Sequence, residues 1–500
     1  MNIATAFSIG IISGYAVIAI VIAILAIYLA FVRPDQLFLM FAAILVFFNS
    51  QTSGAIGADA NTIYYRGSGL LYLPIVTWLI IGGFLSSMGL GWLFHKKATL
   101  STPLSKLYWS ILALCLAHLI FGTIIGIPPQ RLFSNNGLFP LTLSSMVFLW
   151  GAAQLKDPQQ AVTLFKFLLA AVFIRCIFGL VRYAFLGGDP VNIYQNIEKL
   201  GIKVVFFDFH DSTFATLLVL FALSYMLIVK SKQLTIQLFC ISAVLIGTAT
   251  VILSLHRASL VGFFLGALVI VGFVEQRQKF LLLAGIGIGS FASLAAITFF
   301  RLSKLQSNTG VSAFFYDFVA RTAFGPKSAR ALESKQALAT IIENPLFGVG
   351  SWGRYEGFGI GWQELAGEGA YETVHNGFLQ IALKSGVIGL ALICILFFVH
   401  SRACMNLIRQ SSGWYRCAQL ASFGAFISMM PNFAIGMVMA QQRGLFLIAL
   451  LLLLPYLLRL AQTHVMTAGV SPDSGSGTVK PKYGQIPRGL RQAPSLVRRA

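Results

Sequence analysis

The chain has 500 residues, of which 57% are hydrophobic and only 10% are charged, and its formal net charge is +20. Soluble domains carry about 25% charged residues, so this composition excludes a soluble globular protein and indicates an integral membrane protein. The positive charge does not indicate a nucleic-acid partner, because lysine and arginine cluster in short loops between apolar runs and in the C-terminal tail. That distribution is typical of the cytoplasmic loops of membrane proteins.

Long apolar runs follow one another along most of the chain. A helix needs about 20 apolar residues to span a bilayer, so the sequence predicts an all-α polytopic membrane protein with about 12–13 transmembrane helices. The first residues, MNIATAFSIG, lack a charged region, and we expect no cleavable signal peptide there. The predicted spans are 8–31, 36–50, 70–94, 108–127, 138–155, 161–186, 212–230, 234–254, 258–274, 280–300, 377–400, 417–439 and 444–460.

The loops between these spans differ in charge. Basic loops alternate with the others along the chain, which predicts that they lie in the cytoplasm together with the C-terminal tail. Counting back from that tail through all thirteen predicted spans puts the N-terminus outside. The basic loops contain Lys96, Lys97, Lys106, Lys230, Lys232, Arg277, Lys279, Arg402, Arg409 and Arg416, and the opposite side receives 51–69, 128–137, 187–211, 256–257 and 301–376.

These patterns divide the chain into five parts. They are N-terminal transmembrane helices (1–206), central transmembrane helices with a hairpin at Arg257 (207–300), a large structured extracytoplasmic loop (301–376), C-terminal transmembrane helices (377–461) and a basic, disordered cytoplasmic tail (462–500). Within the loop, Ser328 to Glu343 predicts an amphipathic helix that ends at Asn344-Pro345. The stretch after it is rich in glycine and aromatic residues, and we expect it at the membrane interface.

The cysteines do not indicate a metal centre. All six lie in or beside apolar runs, and no spacing of cysteine and histidine suits a set of metal ligands. We therefore expect reduced, structural thiols and no structural metal. The six are Cys115, Cys176, Cys240, Cys394, Cys404 and Cys417.

Ionisable residues at membrane depth are costly, so each is a candidate for function. Arg175 lies in the middle of a predicted helix, where a structural ion pair with an acid such as Asp208 is one interpretation. For Arg182 we favour a side chain that reaches the interface, and for Asp211 a helix cap. A lone histidine at a helix start is more typical of a cap than of a catalyst. The full set is Arg175, Arg182, Asp208, His210, Asp211, His256, Arg257 and His375.

Three segments of the second half of the chain carry motifs: LSLHRASL (253–260), SAR (328–330) followed by PLFGVG (345–350), and HNGFL (375–379) with KSGVIG (384–389). In order, spacing and predicted side they resemble the O-antigen ligase and O-antigen polymerase superfamily, the Wzy/WaaL type of membrane glycosyltransferase. His256 stands where the family often has serine before the arginine. The resemblance covers roughly 207–460 and implies a GT-C-like fold whose large loop contains interfacial helices.

The resemblance implies an inverting transfer of a glycan from a polyprenyl diphosphate to a hydroxyl, without metal or cofactor. Arg257 and Arg330 match the family's positions for meeting the charge of the leaving diphosphate, and arginine suits this task because its planar cation binds two phosphate oxygens. His375 matches the residue that takes the acceptor's proton, and binding of the diphosphate as a cation is the competing assignment. Further candidate substrate-binding residues are Arg321, His256, Asn376, Arg175 and Asp208.

The implied function is a polymerase that joins undecaprenyl-diphosphate-linked repeat units into a surface polysaccharide. A ligase that moves the lipid-linked glycan onto lipid A core or a protein is the alternative within the family. A transporter or flippase is the alternative outside it, and the helix pattern contains no inverted repeat that favours it. We expect a multi-pass protein of the bacterial inner membrane with its site on the periplasmic face. The expected partners are the lipid-linked donor, a glycan or lipid A core acceptor, membrane lipids and a chain-length regulator.

Overall fold

The computed structural model describes seven long ranges of the chain. They are 33–48, 73–88, 102–155, 157–190, 203–276, 329–358 and 368–467, with isolated positions at 24, 28–29, 63–64, 278–279, 283, 285 and 289. The predicted spans 8–31 and 280–300 lie almost wholly outside these residues. So do Arg321, Ser328, Trp362 and the tail beyond residue 467.

The described residues form a polytopic helical membrane protein. Seven of the helices are long and apolar enough to cross a membrane. The helices are α1 Pro34–Phe47, α2 Ile75–Leu85, α3 Ser105–Ile124, α4 Pro129–Leu132, α5 Phe139–Gln154, α6 Pro158–Phe185, α7 Phe209–Ile228, α8 Leu234–Leu253, α9 Arg257–Val271, α10 Ala329–Glu343, α11 Gly377–Arg409, α12 Gly413–Ile435 and α13 Gln442–Thr467, with a 3-10 turn at Val438–Ala440.

The predicted spans that fall on described residues are confirmed as helices. The physical reason is that a long apolar run in a membrane can satisfy its backbone hydrogen bonds in few other ways. At their C-terminal ends, two helices run well beyond the predicted bounds: α11 continues to Arg409 and α13 to Thr467. Their added turns contain polar residues that are good helix formers, and a search for apolar runs does not detect such turns. The amphipathic helix predicted before Asn344 is present as α10.

A two-stranded sheet in the large loop was not predicted. Residues Tyr355–Phe358 (β1) and Glu368–Tyr371 (β2) form a two-stranded antiparallel sheet, in which Tyr355 pairs with Tyr371 and Phe358 with Glu368. Strand β1 also packs against α10. The sheet therefore connects the amphipathic helix to the segment that leads into α11.

Helices α12 and α13 form the centre of the bundle. In the most apolar stretch of α13, 89% of the residues are buried, whereas in that of α8 only 28% are. Helix α12 contacts α7, α9, α11 and α13. Helix α12 approaches α9 closely: a Cβ at Gly262 would collide with the Ser428 carbonyl, and a Cβ at Gly266 with the Gly424 carbonyl. Small residues at such crossings let membrane helices pack backbone against backbone.

Helix α11 is broken inside its apolar part, at Gly386, where φ is +65° and ψ is −163°. The turn at residues 345–350 inserts at this break. The Val349 amide donates to the Leu383 carbonyl at 2.8 Å, and the Val387 amide donates to the Pro345 carbonyl at 2.8 Å. In an unbroken helix, Val387 and Leu383 bond to each other. The turn therefore satisfies both groups that the break releases, and we call this contact the clasp.

The clasp depends on the absence of a side chain at Gly386. Its φ and ψ are accessible essentially only to glycine, and a Cβ would collide with the Leu346 carbonyl. We predict that Gly386→Ala lowers the stability of the protein by at least about 1–3 kcal/mol. The measurement is the melting temperature in detergent, followed by fluorescence-detected size exclusion.

The matched control is Gly82→Ala in α2. A Cβ at Gly82 meets no atom within 4 Å, and the residue is in a regular helix. Alanine there is expected to leave the melting temperature unchanged or to raise it, since alanine favours helix by about 0.5–1 kcal/mol over glycine. Equal melting temperatures for Gly386→Ala and the wild type would contradict the clasp.

Candidate functional site

The C-terminal end of α12 is the common neighbour of two predicted arginines. Arg330, in the first turn of α10, donates from Nη1 to the carbonyl oxygen of Ile435 at 3.1 Å. Arg257 is the first residue of α9 and is half-buried. Two residues later, the Ser259 hydroxyl accepts a hydrogen bond from Asn432 Nδ2 at 3.3 Å. Both arginines therefore lie on elements that touch the last turn of α12.

The segment of His375 reaches the same end of α12. Asn376 caps α11, since its Oδ1 accepts from the amides of Phe378 at 3.0 Å and Leu379 at 3.1 Å. Gly377 lies against Phe433 of α12, so closely that a Cβ would be 2.7 Å from the Phe433 carbonyl oxygen. The predicted residues Arg257, Arg330 and His375 thus belong to three elements that meet at one end of one helix.

His375 has a carboxylate partner that was not predicted. Its Nδ1 lies 3.0 Å from Oε1 and 3.1 Å from Oε2 of Glu333, and its backbone amide donates to Oε2 at 3.0 Å. The Glu333 side chain is 1% exposed and that of His375 14% exposed. Tyr355 on β1 also donates its hydroxyl to Glu333 Oε1, at 3.4 Å. Burial and the neighbouring Glu333 charge raise the pKa of Tyr355, so the phenol stays neutral and remains a donor.

A second polar cluster holds the residues just before His375. Arg354 donates to Glu372 Oε1 from Nε at 3.1 Å and from Nη2 at 2.8 Å, and Asn136 donates to Oε2 at 3.3 Å. Gln380 donates to the carbonyls of Asn136 and Glu372 and accepts from the Val374 amide. Burial raises the pKa of Glu372, but the bonds from Arg354 and Asn136 outweigh it, so the net pKa lies below the ordinary value.

The lowered pKa of Glu372 has a consequence for pH dependence. A carboxylate whose folded pKa is depressed contributes stability above its unfolded pKa, about 4.3 for glutamate, and loses it as the pH falls through the folded pKa. The cluster is therefore fully formed at neutral pH. It ties the loop between α4 and α5 to the segment that presents His375.

An electroneutral ion network lies buried where α7 and α13 begin. Arg443 Nη1 contacts Asp208 Oδ2 at 2.9 Å, and its Nη2 contacts Asp211 Oδ1 at 2.9 Å. Arg175 Nε contacts Asp211 Oδ1 at 3.3 Å. Asp208 also contacts the His210 ring and caps α7 by accepting from the His210 amide. Two arginines and two aspartates balance in charge, which offsets much of the cost of burying them.

The same arginines close the end of α1. Arg443 donates to the carbonyls of Leu45 at 2.9 Å and Val46 at 3.1 Å, and Arg175 donates to the Phe47 carbonyl at 3.1 Å. The last carbonyls of a helix have no partner within it and form the negative end of its dipole. Cations are therefore well placed here, and the network joins α1, α6, α7 and α13.

Two interpretations from the sequence are wrong. Asp211 does not cap α7: the helix begins at Phe209 with Asp208 as its cap, and Asp211 lies inside the ion network. Arg182 does not extend to the interface. It is 9% exposed and contacts Asp189 Oδ2 at 3.1 Å and the Val205 carbonyl at 2.7 Å. Asp211 finds its partners on two distant helices and Arg182 in a loop, and neither kind of partner can be inferred from the pattern of one helix.

The other predicted site residues have varied surroundings. Arg175 and Asp208 belong to the buried ion network, whereas His375 pairs with Glu333. The His256 ring lies 6.0 Å from that of Phe207, in an edge-on arrangement. Arg321 lies outside the described residues. Within the described ranges, no group of three or more histidine, cysteine, aspartate and glutamate side chains has the arrangement of a metal site.

Glu333 and Arg443 were not among the residues predicted from sequence. Arg443 stands at the edge of an apolar run, which is a recognised signal for function. Glu333 lies one turn after Arg330 in an amphipathic helix, where an acidic residue is ordinarily solvated. Its burial depends on contacts with residues more than twenty positions away, so no local pattern predicts it.

An apolar cavity lies between α3 and the turn of the clasp. Its volume is about 520 Å³. A cavity with so few polar groups suits a hydrocarbon chain better than a sugar or a phosphate. It is lined by Leu114, Ala117, His118, Phe121, Asn344, Phe347, Gly348, Val349, Gly350 and Trp352.

We predict that Arg443→Ala destabilises the protein by about 3–5 kcal/mol, because it leaves buried carboxylates without their cation. The expected result is a large loss of monodisperse protein on size exclusion in detergent and a lower melting temperature. The control is Arg459→Ala, at the other end of α13, where the side chain bonds to Gln410 at the surface. That variant is expected to change stability by less than about 0.5 kcal/mol, and a similar loss in both variants would contradict the importance of the network.

Comparison with known protein families shows a match in the second half of the chain. The family model described as O-antigen ligase, Wzy_C, matches residues 241–394. The matched region runs from α8 into α11 and includes Arg257, Arg330, Glu333 and His375. A search of curated proteins found no match to the chain.

Proposed function

Because residues 241–394 form a domain of the O-antigen ligase family, we propose that this membrane protein is a glycosyltransferase that joins undecaprenyl-diphosphate-linked repeat units into a surface polysaccharide. The observation that carries the proposal is the meeting of three elements at the end of α12. Arg257, Arg330 and His375 lie on those elements, and all three fall inside the matched domain.

The proposed reaction needs cations where the leaving group departs. The bond between sugar C1 and the diphosphate oxygen breaks, and its electron pair goes to the diphosphate. Fixed guanidinium groups stabilise such a developing charge without reorganising, and this kind of stabilisation commonly contributes more to catalysis than any other effect. Arg257 and Arg330 are the proposed groups. The apolar cavity beside the clasp is consistent with a substrate that carries a hydrocarbon chain.

The acceptor hydroxyl attacks C1 from the side opposite the diphosphate, so the proposed transfer inverts the anomeric centre. Its proton needs a base that works near neutral pH, and histidine suits this role. His375 is the proposed residue, with diphosphate binding as its competing role. The loop that carries α10 would cover the reacting groups and limit hydrolysis by water.

The distribution of charge supports a site on the periplasmic face of a bacterial inner membrane. The ends of α9, α11 and α12 near Arg257 and His375 lie together. The opposite ends of the helices carry Lys230, Lys232 and Arg416. A concentration of lysine and arginine marks the cytoplasmic side, which leaves the site outside.

The proposal is tested by replacing each site residue in a strain deleted for the chromosomal copy. Arg257→Ala and Arg330→Ala should each lower turnover by roughly 10²–10³-fold, and His375→Ala by roughly 10²–10⁴-fold. Each variant should therefore remove the polysaccharide ladder on a gel while the protein still accumulates in the membrane. Arg402→Ala, an exposed arginine at the far end of α11, is the control and should leave the ladder intact. Normal ladders from all three site variants would refute the site.

The contact of Arg330 with phosphate can be tested separately. Arginine binds two phosphate oxygens through a planar fork, whereas lysine offers a single charged point. We predict that Arg330→Lys is also inactive if the contact is bidentate. A normal ladder from this variant would show that a positive charge alone is sufficient at this position.

A ligase is the second candidate, and the description of the matched family, O-antigen ligase, favours it. The same gel distinguishes the two. Loss of a polymerase leaves single repeat units attached to their acceptor, because units are no longer joined. Loss of a ligase leaves full-length lipid-linked polymer and bare lipid A core.

A further inference from the structure

We propose that Glu333 is the positioning residue for His375, and that the pair makes Nε2 of His375 the group that takes the proton from the acceptor hydroxyl. This inference rests on the proposed glycosyl transfer and deepens it, because it chooses between the two roles of His375. It also gives a task to a buried carboxylate that the sequence motifs do not include.

The contacts assign the tautomer of the histidine. Glu333 presents both oxygens to His375 Nδ1, at 3.0 and 3.1 Å. An ionised carboxylate can only accept hydrogen bonds, so Nδ1 must carry the hydrogen. Nε2 then keeps its lone pair and is free to accept a proton. The same logic orients the imidazole in catalytic triads, where a buried acid holds the far nitrogen.

The backbone strengthens this arrangement. Oε2 of Glu333 accepts the amide hydrogen of His375 at 3.0 Å. One carboxylate therefore holds both the ring and the main chain of the same residue, and two donors fix the position of Nε2. The Glu333 carboxylate is only 1% exposed. A histidine that served only as a cap or as a packing residue would need neither of these two contacts.

Apart from Tyr355, the described charged groups nearest Glu333 have other partners, and Arg330 of the same helix donates to the Ile435 carbonyl. Tyr355 donates to Glu333 and packs against Tyr371 with ring centroids 5.9 Å apart. The nearby acid Glu372 is paired with Arg354. On the described part of the neighbouring helices, the end of α12 from 429 to 436 has no titratable residue, and Lys384 of α11 bonds to the Gly353 carbonyl.

Helix α10 supplies two groups from one turn. Arg330 and Glu333 are three residues apart and so lie on the same side of the helix. Arg330 is exposed and Glu333 is buried. The arginine is thus available to the departing diphosphate, while the glutamate reaches inward to the histidine. Because the clasp places α10, it also fixes the positions of the Arg330 cation and of the base His375.

The proton balance is complete. The acceptor oxygen bonds to C1 as its hydrogen moves to Nε2, and the diphosphate leaves with the electron pair of the broken C1–O bond. His375 becomes an imidazolium whose Nδ1–H still points at Glu333, which stays ionised. The carboxylate stabilises this cation because opposite charges close together favour the charged form.

The test is Glu333→Gln in the purified full-length protein, assayed with a lipid-linked repeat unit. Glutamine keeps the shape of the side chain and removes its charge. We expect kcat to fall about 10- to 100-fold, with KM for the donor within about two-fold. Rates are referred to the folded fraction on size exclusion.

Glu333→Asp is the conservative variant that should restore activity. It also keeps the inference testable if Glu333→Gln does not fold. Aspartate keeps the charge, so kcat should recover in part. In a His375→Ala background, Glu333→Gln should cause no further loss, since the two residues act as a unit.

Several outcomes overturn the inference. A wild-type kcat for Glu333→Gln would exclude positioning, and the loss of activity in His375→Ala would still support glycosyl transfer. Equal losses of kcat for the glutamine and the aspartate variant would indicate a purely structural role. A raised KM with unchanged kcat would assign the pair to diphosphate binding. No product from the wild type would overturn the proposed function itself.

Discussion

The clasp is the contact on which the rest of the candidate site depends. A membrane interior offers no water to unpaired amides and carbonyls, so a helix can break there only if another part of the protein bonds to the released groups. In this protein the turn after α10 does so, through Val349 and Pro345. The loop is thereby anchored to α11, within a few turns of His375. Arg330 and Glu333 lie on the helix that leads directly into that anchor.

The ion network fixes a second set of elements without exposing any charge. Arg443 is more than two hundred positions from Asp208 and Asp211 in sequence, yet it joins them and the end of α1. Each group in the network compensates another, so the cluster is a connection between helices rather than an accessible surface. The network lies beside the first residues of α7 and α13 and joins them to α1 and α6.

Much of this architecture could be predicted from sequence, for a physical reason. Apolar runs of sufficient length determine a helix by themselves, and α10 follows from its own periodicity and its stop at Asn344-Pro345. The motifs around Arg257, Arg330 and His375 lie on elements that meet. What escaped prediction depends on contacts between distant residues. The strands β1 and β2 are four residues each and gain their partners only when the loop folds, and the break at Gly386 lies within a stretch that the sequence predicts to be one continuous helix. The burial of Glu333 and the partners of Arg182 and Asp211 are of the same kind.

The break at Gly386 also divides α11 mechanically. At about 1.5 Å per residue, the shorter segment from 377 to 385 is about 13 Å long, and its hydrogen-bond ladder ends at the clasp. Tilting or bending of the longer segment, from 387 to Arg409, is not transmitted along a continuous helix to the segment that follows His375. Bilayers differ in thickness, and a mismatch between the bilayer and a helix makes the helix tilt or kink. A jointed helix lets its longer part adjust to the surroundings while the shorter part keeps its alignment with the loop.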